Sequence, residues 1–150
     1  MYNVDIKILD KRLEYDTSFL KYQTSGSSAL DLQAMIYKNI TVYPNQVILL
    51  PSGLAIFISN PLITAIIVPR SGLGHNYGII LGNTIGLIDS DYQGELMISI
   101  WNRSLKKFYI KPGDRIAQLL FVPIIKPNFN VVSNFPLTTR NKSGFGHSGV

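Results

Sequence analysis

An all-β barrel or sandwich is the fold class predicted for this chain, on three observations. Turn signals recur at short intervals, at Pro44-Asn45, Pro51-Ser52-Gly53, Asn60-Pro61, Pro112-Gly113-Asp114 and Pro127-Asn128. The segments between them are short and rich in Ile, Val, Leu and aromatic residues, and several alternate with a period of two. Helical signal is confined to one short glycine-rich stretch.

Taken in order, "SGLAIFIS" sets Leu54, Ile56 and Ile58 against Ala55, Phe57 and Ser59, which is strand periodicity. "ITAIIVP" is an apolar strand leading into "RSGLGHNYG", where Ser71 can N-cap one or two helical turns before Gly72, Gly74 and Gly78 stop them. "GIILGNTIGLIDSDYQGELMISIW" reads as two strands joined around "SDYQG", a hairpin with Asp89 where the apolar run ends. Its second half places Leu96, Ile98 and Ile100 on one face and Met97, Ser99 and Trp101 on the other. "FYIKPGDRIAQLLFVPI" reads as two strands joined at Pro112-Gly113. The last segment, "TTRNKSGFGHSGV", carries three glycines and several hydroxyls and reads as a flexible arm.

At 150 residues one domain is expected. Hydrophobic residues make up 46% and charged ones 15%, with a mean hydropathy of +0.18, so part of the apolar surplus is expected in subunit contacts. The start, "MYNVDIKILDKRLEYD", mixes charge into every few residues and does not read as a signal or transit peptide. No segment is apolar for the ~18 residues of a membrane helix, so a soluble, cytoplasmic protein without a membrane partner is expected. The absence of Cys excludes disulfides, thiol catalysis and thiolate metal sites. With only His75 and His147, a metal is expected to be a hard cation on oxygen, such as Mg²⁺. The net charge of +5 and pI near 9.5 suit an anionic partner, nucleic acid or a phosphorylated small molecule, but also a merely solvated basic surface.

Three segments can carry chemistry. In "VPRSGLGHNYG" a cation, a hydroxyl and glycine amides at a helix start can cradle phosphate, although the spacing is not the dinucleotide fingerprint and a plain loop is the alternative. Around "GLIDSD", Asp91 is well explained as a turn residue, whereas Asp89 follows Leu87 and Ile88, a partly desolvated setting in which a carboxylate becomes a stronger base. Asn83 offers one donor and one acceptor for a base edge, and Tyr92 can stack on a ring or sugar. In "RNKSGFGHSG", Arg140 can grip phosphate and Phe145 can lie over a base, against the alternative of a disordered tail.

In this order the segments resemble the trimeric deoxyuridine triphosphatase (dUTPase) family, bacterial type, over almost the whole chain. "SALDLQA", "PRSGLG", "GNTIGLIDSDYQGEL", "PGDRIAQLLF" and "RNKSGFGHSG" are similar to its five motifs. The resemblance implies a jelly-roll or distorted β-barrel over residues 1–139, with a flexible arm over 140–150. It implies a homotrimer whose three active sites lie between subunits, one lending the second and fourth motifs, a neighbour the third and the remaining one the arm. It implies hydrolysis of dUTP to dUMP and pyrophosphate, which keeps uracil out of DNA and supplies dUMP for thymidylate synthesis. By the same resemblance Arg70, Ser71, Gly72 and Gln118 would hold the phosphates. Asn83, with the backbone of Leu87, Ile88, Asp89 and Met97, would read uracil, and Tyr92 would exclude a 2′-hydroxyl. Asp89 would activate the attacking water, Asp31 would help place Mg²⁺ through its water shell, and Arg140, Phe145 and Ser148 would close over the nucleotide. Ala29, Gln33, Asn141 and Ser143 depart from the family pattern; if position 29 needs a positive φ, alanine would be strained there. The competing readings are a dCTP deaminase, a non-catalytic nucleotide-binding protein of the same fold, and a basic barrel binding RNA. The last lacks, in the sequence, the aromatic series of a stacking platform, so no nucleic-acid partner is expected.

Overall fold

The computed structural model describes residues 3–15 and 17–144. Its elements are β1 (Asp5–Ile8), β2 (Leu30–Gln33), β3 (Ile40–Val42), β4 (Val47–Phe57), β5 (Ile63–Pro69), α1 (Ser71–Tyr77), β6 (Ile79–Leu81), β7 (Gly86–Ile88), β8 (Glu95–Asn102), β9 (Phe108–Ile110) and β10 (Arg115–Pro123), with 3-10 turns at Lys11–Leu13 and Thr17–Leu20. All pairings are antiparallel: one sheet runs β1-β4-β8-β6, a second β2-β10-β5-β7, and β3 and β9 form a separate ribbon. Inward residues of both sheets and the ribbon merge into one core, including Leu50, Ile98 and Ile100 from the first sheet, Leu32, Ile67 and Leu119 from the second, and Val42 and Ile110 from the ribbon. This is the expected all-β architecture, a jelly-roll.

The expected hairpin around "SDYQG" does not form. β7 pairs with β5, whereas β8 pairs with β4 and β6, so the two strands enter different sheets. The intervening turn is fastened elsewhere: the Ser90 carbonyl accepts the Ile58 and Ser59 amides, both at 3.2 Å, which ties it to the end of β4. Ser71 is also not the cap of α1. It is the first helical residue, Arg70 holds the cap position in extended backbone, and Gly78 ends the helix in the left-handed region.

The long strand β4 serves two partners because it breaks in the middle. Gly53 has φ +73° at the bulge between Pro51 and Ala55, and a β-carbon there would come within 2.8 Å of Asp10 Cβ. Its carbonyl accepts the amides of Leu9 and Asp10, which starts the pairing with β1. Asp10 in turn accepts the Arg12 amide and pairs with its guanidinium, which donates to the Met35 and Ile36 carbonyls. The Arg12 side-chain hydrogen bonds hold the Asp10 carboxyl below its ordinary value, against a smaller opposing effect of burial. A depressed folded-state pKa contributes stability above the unfolded value and loses it as pH falls through the folded one. The stability gap between wild type and Asp10→Asn, from denaturant melts at a series of pH values, is therefore expected to be constant above about pH 4 and to close under stronger acid.

Asn102, fully buried at the end of β8, fixes the ribbon to the sheets. Its Nδ2 donates to the carbonyls of Val42 (2.9 Å) and Lys106 (2.7 Å), and its Oδ1 accepts the Ser104 amide (3.0 Å) and hydroxyl (2.7 Å). Leucine would fill similar space but strand these groups, so Asn102→Leu is expected to cost roughly 2 to 4 kcal/mol, read as a lowered urea midpoint. After β10 the described chain has no regular structure, and Phe129, Val131, Phe135 and Leu137 are almost fully exposed. No helix among the described residues is long and apolar enough to cross a membrane.

Candidate functional site

The second, fourth and first segments meet at one end of the β2-β10-β5 sheet. Register places Gln118 between Asp31 on β2 and Val68 on β5, and Arg70 emerges just past Pro69. The Asp31 carboxylate is buried and collects the surrounding donors. Arg70 Nε lies 3.3 Å from Oδ1, Gln118 Nε2 donates to Oδ1 at 3.3 Å, and Arg115 Nη1 donates to Oδ2 at 3.0 Å. Arg70 is aimed further by a bond from Nη1 to the Arg115 carbonyl at 2.9 Å. With Ser71 and Gly72 it lines a cavity of about 290 Å³, closed by Leu73, Asn76, Tyr77 and Gln118. Two guanidinium groups sharing one carboxylate leave a net positive charge there, which suits a polyanion. Arg115 was not singled out in the sequence. Only the outcome of folding, a bulge that turns β10 between Arg115 and Ala117, shows that it shares Asp31 with Arg70.

Ala29 is not among the described residues with positive φ, so the strain expected of it is absent. A metal fits Asp31 only indirectly. Both its oxygens already accept from arginine or glutamine, and no three His, Asp or Glu converge among the described residues. A bare dication would face two guanidinium groups, whereas a hydrated Mg²⁺ carried on phosphate oxygens can be reached through water.

The third segment forms a separate edge. β7 is the last strand of its sheet, so one side of its backbone faces away from any strand. Leu87 points outward and is 65% exposed, and Asp89 is exposed too. The desolvated setting expected for Asp89 is therefore absent within one chain: on an edge strand, apolar neighbours in sequence do not bury the residue that follows. Asn83 lies in the tight turn before β7, with its amide near Gly86. Asp89 opens the turn after it, its carbonyl accepting the Tyr92 amide at 3.1 Å, and Asp91 sits inside that turn. The Tyr92 ring lies over Gly94, where a β-carbon would collide with it, and its hydroxyl donates to the Glu95 carbonyl at 3.1 Å. Ile88 spends its carbonyl on the Thr64 hydroxyl at 2.7 Å. Met97 is on β8, opposite Pro51 in the other sheet.

Asp89 and Arg70 do not meet. The register sets Ile88 opposite Ala65, at the start of β5, while Arg70 follows its end. Asp89, one residue on, falls opposite Thr64, and the six strand steps from there to Arg70 span about 20 Å. The arm is seen only in part: Arg140 folds back on a turn in which its Nε donates to the Ser143 carbonyl (3.1 Å), with Asn141 at φ 47°. Phe145, His147 and Ser148 lie outside the described residues. A wider cleft of about 850 Å³ beside Leu20, Leu62 and Phe121 has no carboxylate, amine or guanidinium in its lining and is no site for phosphate chemistry.

Comparison with known proteins gives the family. A deoxyuridine 5′-triphosphate nucleotidohydrolase of Buchnera aphidicola subsp. Acyrthosiphon pisum (strain Tuc7) is 58% identical over 150 residues, covering 100% of this chain and 97% of that protein. Among solved structures, a Staphylococcus bacteriophage 80alpha dUTPase with dUPNHPP superposes with a TM-score of 0.81 at 22% identity, covering 100% of both chains. A mutant dUTPase from phage phi11 of S. aureus, described for its coordination of a structural Mg(II) ion, gives 0.75 at 18% identity, covering 89% of this chain and 98% of that one. The family model described as dUTPase matches residues 16–149, and with that span and the Buchnera identity the chain belongs to the dUTPase family.

Proposed function

We propose that this protein hydrolyses dUTP to dUMP and pyrophosphate at sites shared between the subunits of a homotrimer. The observation that carries the reading is the open edge of β7, with an amide reader, Asn83, at one end and a carboxylate, Asp89, at the other. A free strand edge presents alternating N–H and C=O groups, the complement of uracil's acceptors and donor. Cytosine exchanges one of these, and a buried mismatch can cost orders of magnitude in rate. Tyr92, pinned over Gly94, stands next to Asp89 where the sugar would lie and leaves a 2′-hydroxyl no room.

With uracil at Asn83 and the sugar at Asp89, the triphosphate leaves β7 at the end far from the same chain's Arg70. The phosphates must then meet Arg70, Ser71, Gly72 and Gln118 of another subunit. Asp89 takes a proton from water as its oxygen attacks the α-phosphorus. The bond from that phosphorus to the bridging oxygen breaks, and pyrophosphate departs into the Arg70 cavity. Asp31 holds Arg70 in place, and it would contact only through water a hydrated Mg²⁺, an ion that would supply neutralisation of phosphate charge. Covering by a neighbour would also supply Asp89 with the apolar surroundings that a lone chain lacks. The exposed apolar strap of Phe129, Val131, Phe135 and Leu137 would find its surface there.

The test is pyrophosphate release from dUTP, dTTP, dCTP and UTP, each with and without Mg²⁺. Release from dUTP alone, dependent on Mg²⁺, is expected; ammonia from dCTP with no product from dUTP would overturn the reading. Arg140, Phe145 and Ser148 would contact the bound nucleotide, as the family resemblance implies. Removing residues 140–150 is therefore expected to leave a folded trimer by sedimentation, with turnover reduced roughly a hundredfold, the scale of a lost positioning contact.

A further inference from the structure

Two segments of this chain carry cations with no carboxylate among them and meet in the fold. Residues 34–47 and 101–113 contain Lys38, Arg103, Lys106, Lys107 and Lys111 and no Asp or Glu, five of the fourteen basic residues. The other nine basic residues are matched by nine acidic ones. Pairing of β3 with β9 brings the two segments together, and all five cations are exposed. None has an ion-pair partner among the described residues. The nearest carboxylate along the chain, Asp114, is turned onto the Lys111 amide at 2.7 Å.

The ribbon alternates. Ile40, Val42, Phe108 and Ile110 face the core, so the opposite face carries Thr41 against Tyr109, then Tyr43 beside Lys107, with Lys111 at the other end. Tyr109 is 60% and Tyr43 50% exposed, and Lys107 Nζ stands 5.0 Å from the Tyr43 ring centre. Just before β3, Tyr37 is 87% exposed, with the Arg12 guanidinium 4.4 Å above its ring. The β3–β9 register sets Tyr43 and Tyr109 on one exposed face, an arrangement the linear sequence does not reveal. The platform is rigid, since buried Asn102 binds both segments.

A merely solvated basic face needs lysines but has no use for a row of half-exposed rings. Lys107, Tyr109 and Lys111 follow one another at two-residue steps of about 7 Å, which matches a chain that alternates phosphates with unstacked bases. A duplex hides its base faces, and a single nucleotide needs one ring. We propose that the β3–β9 ribbon binds single-stranded nucleic acid. It borders the Arg70 cavity through the Tyr77–Phe108 ring contact (5.6 Å) without using the residues assigned to dUTP.

The experiment is fluorescence anisotropy of a labelled oligodeoxythymidine of about 20 nucleotides with the full chain, over a KCl series. Binding is expected, with a log-log salt slope near −3, from about 0.7 per neutralised phosphate. Replacing Lys106, Lys107 and Lys111 together by Gln is expected to lower that slope by about 2. Tyr43→Ser with Tyr109→Ser is expected to weaken binding roughly tenfold at unchanged slope, and the two Phe replacements to restore it. Turnover of dUTP is expected to stay at the wild-type value in each, which also certifies folding. No binding at low salt, or binding indifferent to the lysines, would overturn the proposal. So would loss with the lysines but not the tyrosines, the mark of a general polyanion face, or equal affinity for a duplex of the same length.

Discussion

Asp89→Asn is expected to lower kcat for dUTP by roughly 10² to 10⁴, the range that general-base catalysis contributes, while leaving dUTP affinity within a few fold. The substitution keeps shape and removes only the ability to take a proton. Its structural cost is small, because the side chain is exposed and the turn is held by the Asp89 carbonyl and the Tyr92 amide, both of which survive. Pyrophosphate release measures kcat, and calorimetry on the inactive variant measures binding. A variant retaining more than about a tenth of wild-type turnover would remove Asp89 from the role of base.

Mixing two inactive chains is expected to restore activity. Arg70→Gln disables the phosphate end of a subunit and Asp89→Asn the edge end, and in the fold these lie at opposite ends of β5. If each site takes Arg70 from one chain and Asp89 from another, unfolding and refolding the variants together must create some sites with both intact partners. Random assembly of equal amounts makes that about one site in four. Arg70→Gln leaves Asp31 with Arg115 and Gln118, so its fold is expected to survive. Activity near a quarter of wild type, absent from either variant alone, is the expected outcome. A mixture as inactive as its parts would place both residues in a site within one chain.

The sequence reading was most secure where periodicity maps directly on local geometry. The alternation in "SGLAIFIS" and "ELMISIW" appears as the inner faces of β4 and β8, and the glycine spacing after Arg70 as a helix of two turns. It failed where the partner of a strand mattered. Nothing local in "GLIDSDYQGEL" says that β7 joins β5 while β8 joins β4, because that choice is made by distant residues such as the Ile58 and Ser59 amides. For the same reason the apolar residues before Asp89 do not bury it, since exposure depends on which strand covers Leu87. The candidate phosphate ligands Arg70, Ser71, Gly72 and Gln118 were legible through motif order and do line one cavity. Arg115 and the face shared by Tyr43 and Tyr109 depend on register, which no single segment encodes.

β7 carries one more consequence. An unpaired strand edge is the ordinary starting point for chains to stack into fibrils, so an enzyme that keeps such an edge open runs a standing hazard. Here the open edge is kept to three residues, beginning at a glycine, and the chain leaves it at the carboxylate of Asp89. The same charge that would activate water also repels a second copy of the edge. Chemistry and protection against self-association then rest on one side chain, and Asp89→Asn should lose both, aggregating faster than wild type during refolding.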